Sequence, residues 1–363
     1  MGDRCPSTLA VRLDSDGDVL LTGPALRALA AGSRRLDLLA SPAGRSAADL
    51  LPGVDEVLIL DPPWSGYQPP AVDPAALAGV VELLRARSYD QVVVFTSFHQ
   101  SALPMALLAK WAGVPRVVAP SEDYPGSLLN VRVRRRPDGE PDDGGPAGGH
   151  EVQAALAVAE AAGCPLPHDD DGRLRIRPVA HFPLDVPGPY VVVHPAASVP
   201  SRSIGLEQAS TIASALEADG WHVVVTGGPG QEEVRRRVTP GGGLDLVGRT
   251  SLAELASVLA GAVCVVVGNT GPAHLAAAVG TPVVSLFSPV VPAERWAPWG
   301  VPRVLLGDQG AACRLTRARE CPTPGHPCLA GVAPHVVTDA VRRLTGIRLG
   351  DVDARATAVG GAR

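Results

Sequence analysis

Short apolar runs alternate with segments of helical period through the first half of the chain. The runs predict strands at residues 8–13, 36–40, 54–60, 91–95 and 116–119. Apolar positions recur at helical spacing over residues 19–31, 101–112 and 150–162. This alternation is typical of a parallel sheet covered by helices. We therefore predict one α/β domain over residues 1–176, with an exposed loop rich in Gly, Pro and Asp at 136–149.

The same alternation starts again after a proline-rich interval. Residues 177–189 hold four prolines and no periodicity, which indicates a linker. The pattern beyond it predicts strands at 190–194, 221–226, 244–247, 263–267 and 282–287. Helices are predicted at 206–218, 231–237, 251–260 and 271–279. We predict a second α/β domain over residues 190–333, a C-terminal helix at 334–346 and a disordered tail at 347–363.

Length and composition favour a soluble protein of two domains. A chain of 363 residues can bury two cores, and no apolar run reaches the roughly 20 residues that span a bilayer. The first residues lack the basic head and apolar stretch of a secretory signal, so we predict a cytoplasmic protein without stable membrane insertion. A net charge of -5 without a basic stripe argues against nucleic acid as a ligand.

Three of the six cysteines lie close together in the sequence. Cys313, Cys321 and Cys328 accompany His326, at spacings that fit no common zinc pattern. The six are too scattered for a disulfide scaffold. A metal site, a disulfide and a loop with ordinary thiols all stay open for this segment.

The loop after the first predicted strand is rich in aspartate. In open parallel sheets, ligands bind outside the carboxyl ends of the strands, so each such loop is a candidate site. Residues 14–18 read DSDGD, which is more aspartate than a helix cap requires. Asp18 is either the N-cap of the next helix or a general base that takes a proton from an attacking hydroxyl.

The loop after the strand at 190–194 combines small residues, hydroxyls and an arginine. Ser198 and Ser201 can donate hydrogen bonds to an anion, and Arg202 offers a permanent planar charge suited to phosphate. The pattern predicts a diphosphate site. Its alternative is a serine-rich turn with a solvated arginine.

Two further loops of the second half are rich in glycine. Residues 226–233, TGGPGQEE, lack both the GxGxxG spacing of a dinucleotide site and the lysine of a P-loop. Glu232 or Glu233 could accept hydrogen bonds from a ribose there. Residues 268–274, GNTGPAH, give the strongest signal, because residues 270–272 begin a helix whose first amides can face an anion. His274 could reach the same ligand.

The order and spacing of these motifs resemble glycosyltransferase family 9, the bacterial heptosyltransferases, over nearly the whole chain. The matching segments are RLDSDGDVLLTGPALRAL, HPAAS, GNTGPAHLAAAVGTPVVSLFSP and CPTPGHPCL. The resemblance implies an α/β GT-B fold, with two facing Rossmann-like domains and parallel sheets. It also implies an inverting enzyme that needs no metal and no cofactor and uses an ADP-sugar, ADP-heptose, as its co-substrate.

Carried over residue by residue, the resemblance implies a role for each matching position. Asp18 would be the catalytic base. The donor diphosphate would be bound by Ala197, Ser198, Arg202, Thr270 and Gly271, the nucleoside by Glu232 and Thr250, and the donor sugar by Asn269 and His274.

Departures from the family pattern bear on the substrates. Arg202 stands where the family usually has Lys, Asn269 replaces the usual Asp, and Ile204 replaces a Trp. A neutral Asn269 leaves the identity of the donor sugar open. Residues 95–102, FTSFHQSA, contain no Lys or Arg. Because a site for an anionic lipopolysaccharide is expected to contain cationic side chains, this favours a small or neutral acceptor. Weak acceptor contacts are predicted for Asp16, Trp64, Tyr67, Ser97 and His99, with a role in only capping the domain as the alternative for Trp64 and Tyr67.

We therefore predict a glycosyltransferase that moves a heptose from ADP-heptose to a hydroxyl or amine of a small molecule or secondary metabolite. The alternatives are a heptosyltransferase acting on lipopolysaccharide or another envelope glycan, a non-catalytic sugar-nucleotide-binding protein, and an epimerase-like protein of the same fold. A phosphorylase is disfavoured because Lys110, the only lysine, is a poor candidate for a pyridoxal-phosphate site.

Overall fold

The computed structural model describes residues 5–66, 68–97, 99–135, 149–238 and 243–346. The chain divides into two compact units, Met1–Arg177 and Pro178–Arg363. Within the described ranges, no helix has the length and apolar character needed to cross a membrane. The predicted tail at 347–363, and all but Gly149 of the predicted loop at 136–149, lie outside the described residues.

The first unit is built on a six-stranded parallel sheet. Its strands are β1 (Ser7–Arg12), β2 (Arg35–Ala40), β3 (Glu56–Ile59), β4 (Gln91–Phe95), β5 (Arg116–Pro120) and β6 (Val131–Val133). Its helices are α1 (Asp16–Ala31), α2 (Arg45–Ala48), α3 (Pro74–Arg87), α4 (Leu103–Trp111) and α5 (Glu151–Ala161). The strand order is β3-β2-β1-β4-β5-β6, and every pairing is parallel.

The central strand β1 is buried along its whole length, as both faces of such a sheet are covered by helices. Leu9 and Val11 pack into the core that α3 and α4 cover. Side chains alternate along a strand, so Arg12 points to the opposite face, where α1 packs against α5. A charged residue therefore ends an otherwise uncharged, buried strand.

The second unit repeats this architecture. Its strands are β7 (Tyr190–His194), β8 (His222–Val225), β9 (Leu244–Asp245), β10 (Cys264–Gly268), β11 (Val283–Leu286) and β12 (Arg303–Leu306). Its helices are α6 (Leu206–Ala218), α7 (Glu232–Val238), α8 (Leu252–Gly261), α9 (Gly271–Ala278), α10 (Ala293–Trp296), α11 (Pro327–Ala330) and α12 (Pro334–Thr345). The strand order is β12-β11-β10-β7-β8-β9. Helix α12 packs against α6, β10, β11 and β12 and thus belongs to this unit.

Each sheet has one point where the strand order reverses, between β1 and β4 in the first unit and between β7 and β10 in the second. This is the order of doubly wound nucleotide-binding folds, which hold their ligands outside the carboxyl ends of the strands at the reversal. The predicted α/β class, with two Rossmann-like parallel sheets, is confirmed.

Several elements were not predicted from the sequence. They are the edge strands β6 and β12 and the helices α2, α3, α10 and α11. The predicted linker at 177–189 contains no helix or strand.

Candidate functional site

In the first unit, two carboxylates share one arginine at the point where the strand order reverses. Arg12 Nε lies 2.8 Å from Asp14 Oδ2, and Arg12 Nη2 lies 3.2 Å from Asp18 Oδ1. Nη2 also donates to Ser97 Oγ at 2.9 Å. The loops after β1 and β4 therefore meet at a single guanidinium.

The two carboxylates differ in their exposure to solvent. The side chain of Asp14 is 9% exposed, and Gln100 Nε2 donates to its second oxygen at 2.5 Å. The side chain of Asp18 is 23% exposed. Asp14 is thus held by protein groups at both oxygens, whereas Asp18 is the carboxylate that a substrate can reach.

Burial sets the acid–base behaviour of this group. It raises the pKa of Asp14 to about 6, because the opposing effect of Arg12 is weaker and the charge of Asp18 raises it further. Burial also lowers the pKa of Arg12, but Asp14 and Asp18 outweigh that effect and hold it above its usual value. The guanidinium stays charged.

Helix α1 begins so that Asp18 lies in its first turn. Ser15 has the extended N-cap conformation, and Asp16 is the first helical residue. The alternative interpretation of Asp18 as the N-cap is therefore wrong. Carboxylates in a first turn are favoured by the helix dipole.

Asp16 has a structural contact that the sequence did not indicate. Its Oδ1 accepts from the Ala47 amide at 2.9 Å, which ties α1 to α2. Its predicted acceptor contact stays a prediction.

The other predicted acceptor residues occupy different environments. Trp64 is half-buried and packs against the core that α3 and α4 cover. The neighbouring Ser65 donates to the Leu13 carbonyl at 3.1 Å and so fixes this loop beside the end of β1. Ser97 is buried, and His99 is exposed. Tyr67 lies outside the described residues.

In the second unit, the loop after β7 folds into a compact turn. Ala197 N donates to Ser203 Oγ at 2.9 Å, and Ile204 N donates to the Pro195 carbonyl at 2.8 Å. Arg202 ends a short 3-10 turn within this loop. Ser198 is exposed at its rim.

This loop touches the end of β10. A Cβ added to Gly268 would lie 2.2 Å from the carbonyl oxygen of Arg202, so no other residue fits there without movement. The contact places Arg202 beside the start of α9, whose N-cap is Thr270 and whose first residue is Gly271. The loop that contains Ala197, Ser198 and Arg202 therefore lies beside the helix N-terminus at Thr270 and Gly271, at one edge of the sheet.

The predicted donor-sugar residues lie at the same place but are buried. Asn269 Nδ2 donates to the Ser288 carbonyl at 3.2 Å, and Ser288 N donates to Asn269 Oδ1 at 3.0 Å. Asn269 thus ties the end of β10 to the segment after β11, a role that the sequence did not indicate. His274 is buried in the first turn of α9. Their sugar contacts stay predictions.

The predicted nucleoside residues follow β8 and β9. Gly248 N donates to the Gly227 carbonyl at 2.9 Å, which joins the two loops. Glu232 is the exposed first residue of α7, and Thr250 is half-buried just before α8. Both lie on the carboxyl side of the sheet, as the arrangement of parallel strands requires.

A later segment supports the loop after β7, a contact that no sequence pattern predicted. Ser201 N donates to the Arg319 carbonyl at 2.8 Å, and Ser201 Oγ donates to the Ala318 carbonyl at 2.5 Å. Arg319 Nη2 donates in turn to the Ser198 carbonyl at 3.2 Å. We call residues 313–319 the brace loop.

The brace loop is also attached to the segment after β11. Leu315 N donates to the Pro289 carbonyl at 2.9 Å, and Arg317 N donates to the Val290 carbonyl at 2.8 Å. Leu315 and Arg317 have φ values of 63° and 57°, in the left-handed region that non-glycine residues seldom adopt. Such strain is retained where the surrounding structure fixes it, often near binding sites.

The cysteines form no disulfide. All six are free, and Cys313 and Cys328 are buried. Burial raises the pKa of the Cys328 thiol to about 11. Among the described residues, no group of three or more His, Cys, Asp or Glu side chains is placed to hold a metal ion.

The sequence matches the family model of glycosyltransferase family 9 (heptosyltransferase) over residues 79–325. No curated protein is significantly similar to the chain in sequence. Among solved structures, the chain is similar to E. coli ADP-heptose lps heptosyltransferase II, with a TM-score of 0.71, 19% identity and coverage of 93% of this chain and 98% of that chain.

Two further solved structures show the same likeness. The glycosyl transferase family 9 from Veillonella parvula has a TM-score of 0.71 and 17% identity, covering 95% of this chain and 98% of that chain. E. coli heptosyltransferase WaaC with ADP has a TM-score of 0.64 and 20% identity, covering 93% and 99%. At these identities the structures show a shared fold, and the family model covers more than half of the chain. The chain belongs to glycosyltransferase family 9 and is a glycosyltransferase.

Proposed function

We propose that the protein is an inverting, metal-independent glycosyltransferase that moves a heptose from ADP-heptose to a hydroxyl or amine of a small acceptor, without a cofactor. The observation that carries this proposal is the close approach of the Arg202 backbone to Gly268, just before the N-terminus of α9, at the carboxyl edge of the second sheet. A guanidinium and unpaired helix amides are the groups that best stabilise a leaving diphosphate.

The donor is argued from chemistry and from relatives. Arg202 neutralises the diphosphate, so no metal ion is required for that purpose. Glu232 and Thr250 lie on the same side of the sheet, where a nucleoside joined to that diphosphate would extend. Two of the similar structures are described as an ADP-heptose heptosyltransferase and a heptosyltransferase with ADP.

The reaction is a displacement at the anomeric carbon of the donor. The acceptor oxygen or nitrogen attacks that carbon from the face opposite the nucleotide, while its proton passes to the carboxylate of Asp18. The bond between the anomeric carbon and the phosphate oxygen breaks, and ADP leaves with the electron pair. Attack from the opposite face inverts the configuration of the sugar.

A small or neutral acceptor is favoured by how the nearby arginines are used. Arg12 pairs with Asp14 and Asp18. Arg135 Nη1 lies 3.3 Å from Glu151 Oε1, and its Nη2 donates to the Thr96 carbonyl at 2.5 Å. Cations already held by protein groups are poorly placed to attract a lipopolysaccharide phosphate.

An assay of nucleotide release tests the proposal. Wild-type protein with ADP-heptose and a panel of small acceptors should release ADP only when an acceptor is present. Asp18→Asn should lower that rate by about 100- to 10,000-fold, because it removes the general base. Isothermal titration should show unchanged ADP affinity, since Asp18 lies in the other unit.

The control is Asp61→Asn, which neutralises an exposed carboxylate of the same unit and should keep full activity. An active Asp18→Asn variant would remove Asp18 from the mechanism. Release of ADP without any acceptor would indicate hydrolysis instead of transfer, and turnover only with lipopolysaccharide would contradict the small acceptor.

A further inference from the structure

One buried positive charge stands between two negative ones at the end of β1. The Arg12 side chain is 3% exposed and is held by Asp14, Asp18 and Ser97. Burying charged groups costs more stability than their pairing usually returns, and an apolar residue would continue the pattern of the strand. The fold alone therefore does not account for this group.

The balance of charge shows what the group can do. With both carboxylates ionised, Arg12, Asp14 and Asp18 together carry one net negative charge. Asp18 can then accept a proton and leave Arg12 still paired with Asp14. If Asp14 were neutral, protonation of Asp18 would leave the buried guanidinium with neither of the two carboxylates that contact it ionised, which is unfavourable.

The geometry gives Asp14 and Asp18 different roles around Arg12. Arg12 Nη2 faces Asp18 Oδ1, while Asp18 Oδ2 accepts from Ser15 Oγ at 3.5 Å, on the more exposed side. Asp14 is fixed by Arg12 and by Gln100, so it cannot turn toward a substrate.

We propose that Arg12 and Asp14 form a positioning pair that orients Asp18 and keeps it able to accept the acceptor's proton. This inference rests on the proposed function. Arg12 contacts Asp18 Oδ1 and so directs Oδ2 to the more exposed side, and Asp14 supplies the charge that Arg12 needs once Asp18 is protonated.

Among the charged groups at this site, Asp14 is the one that we expect to take up a proton in mild acid. Of the neighbouring charged groups on α5, Glu151 pairs with Arg135, and His150 Nδ1 accepts from the Val152 amide. On α1, Asp16 is engaged by the Ala47 amide. Burial raises the pKa of Asp14 to about 6, so the pair changes charge near that pH. Activity should therefore fall as the pH drops through about 6.

The test is the pH profile of kcat for Asp14→Asn. We expect kcat at pH 7.5 to fall by about tenfold or more, and the decline near pH 6 to disappear. The KM for ADP-heptose and the ADP affinity should be unchanged. A residue with only a structural role would alter stability without removing this limb of the profile.

Asp170→Asn is the matched control. Arg27 Nε lies 2.6 Å from Asp170 Oδ2, and the two side chains are 12% and 11% exposed, so the variant breaks a comparable pair of the same unit. It should lose stability while keeping kcat and the pH profile of the wild type. Asp14→Asn with a wild-type kcat and profile would overturn the inference.

Ser97→Ala decides the matter if Asp14→Asn does not fold. It removes the hydrogen bond that Arg12 Nη2 donates to Ser97 Oγ, and we expect kcat to fall several-fold with the ADP affinity unchanged. An unchanged kcat would overturn the inference. Failure of the proposed function gives a different result. An active Asp18→Asn variant contradicts the role of Asp18 as the base. An inactive Asp18→Asn variant together with an Asp14→Asn variant of normal activity contradicts only the positioning pair.

Discussion

At the scale of single residues, the buried His194 makes the stability of the second unit depend on pH. Its Nδ1 lies 2.9 Å from Thr226 Oγ1, and burial lowers the pKa of the ring to about 4. The unfolded chain takes up a proton at about pH 6.5, whereas the folded protein does not. The contribution of His194 to stability is therefore complete above pH 6.5 and is lost as the pH falls toward 4.

We expect His194→Gln to reduce the loss of stability in acid. Glutamine can keep a hydrogen bond to Thr226 and does not titrate. Between pH 7 and pH 5, the free energy of unfolding of the wild type should fall by about 2 kcal/mol more than that of the variant. Urea denaturation at both pH values measures this difference.

His181→Gln is the control, since the exposed ring of His181 remains in water in both states. Its stability should follow the wild type at both pH values. Equal losses in wild type and His194→Gln would show that His194 is not the group responsible.

The sequence predicted a role for Asp18 but not its contact with Arg12. A strand ending in arginine was visible in TLAVR, yet nothing in the pattern showed that Asp14 and Asp18 share its guanidinium. Such sharing depends on how the loop after β1 and the first turn of α1 fold back on Arg12, which linear spacing does not encode. The same holds for Asn269, whose partner Ser288 lies nineteen residues later.

At the scale of elements, the contact between β10 and the loop after β7 depends on a glycine, Gly268, which has no side chain. Gly268 allows the carbonyl of Arg202 to approach closer than any Cβ would permit. Any residue with a side chain must separate the two segments, and overpacking of this kind usually costs about 1–3 kcal/mol.

We expect Gly268→Ala to destabilise the second unit by about 2 kcal/mol and to weaken ADP binding, because Arg202 moves away from α9. Gly205→Ala is the control. Gly205 lies in the same loop, has a φ of -57°, and has no atom within 4 Å of an added Cβ. Thermal unfolding and ADP titration measure both effects, and normal ADP affinity in Gly268→Ala would contradict the close junction.

Most central elements could be predicted because their patterns are long and continuous. The strand at 190–194 and the helix at 206–218 have the predicted bounds. The edge strands β6 and β12 are short and mainly half-buried, so they present no uninterrupted apolar run. Helix α3 buries only Val81 and Leu84, which leaves a weak helical signal.

At the scale of the whole molecule, each unit has its own hydrophobic core. One core joins β1 and β4 to α3 and α4, and the other joins β7, β8, β10 and β11 to α6 and α12. Units with separate cores generally unfold as separate cooperative transitions. A ligand bound to one unit should therefore stabilise that transition.

Calorimetry of the full chain should show two transitions, of which ADP raises only one. At about 100 times its dissociation constant, ADP should stabilise that transition by about 2.7 kcal/mol, and UDP should do so less. Val266→Ala in β10 should lower the ADP-sensitive transition, and Val92→Ala in β4 should lower the other. Two variants that affect the same transition, or equal effects of ADP and UDP, would contradict this expectation.

The brace loop also sets when, during synthesis, the loop after β7 gains its supporting contacts. Ser201 Oγ donates to the carbonyl of Ala318, which is translated 117 residues later. This hydrogen bond can therefore form only after Ala318 has been made. At about 5–20 residues per second, a ribosome needs roughly 6–24 seconds to make that stretch. The growing polypeptide therefore completes its first unit well before the loop after β7 gains this hydrogen bond, and chains that end before Ala318 lack it.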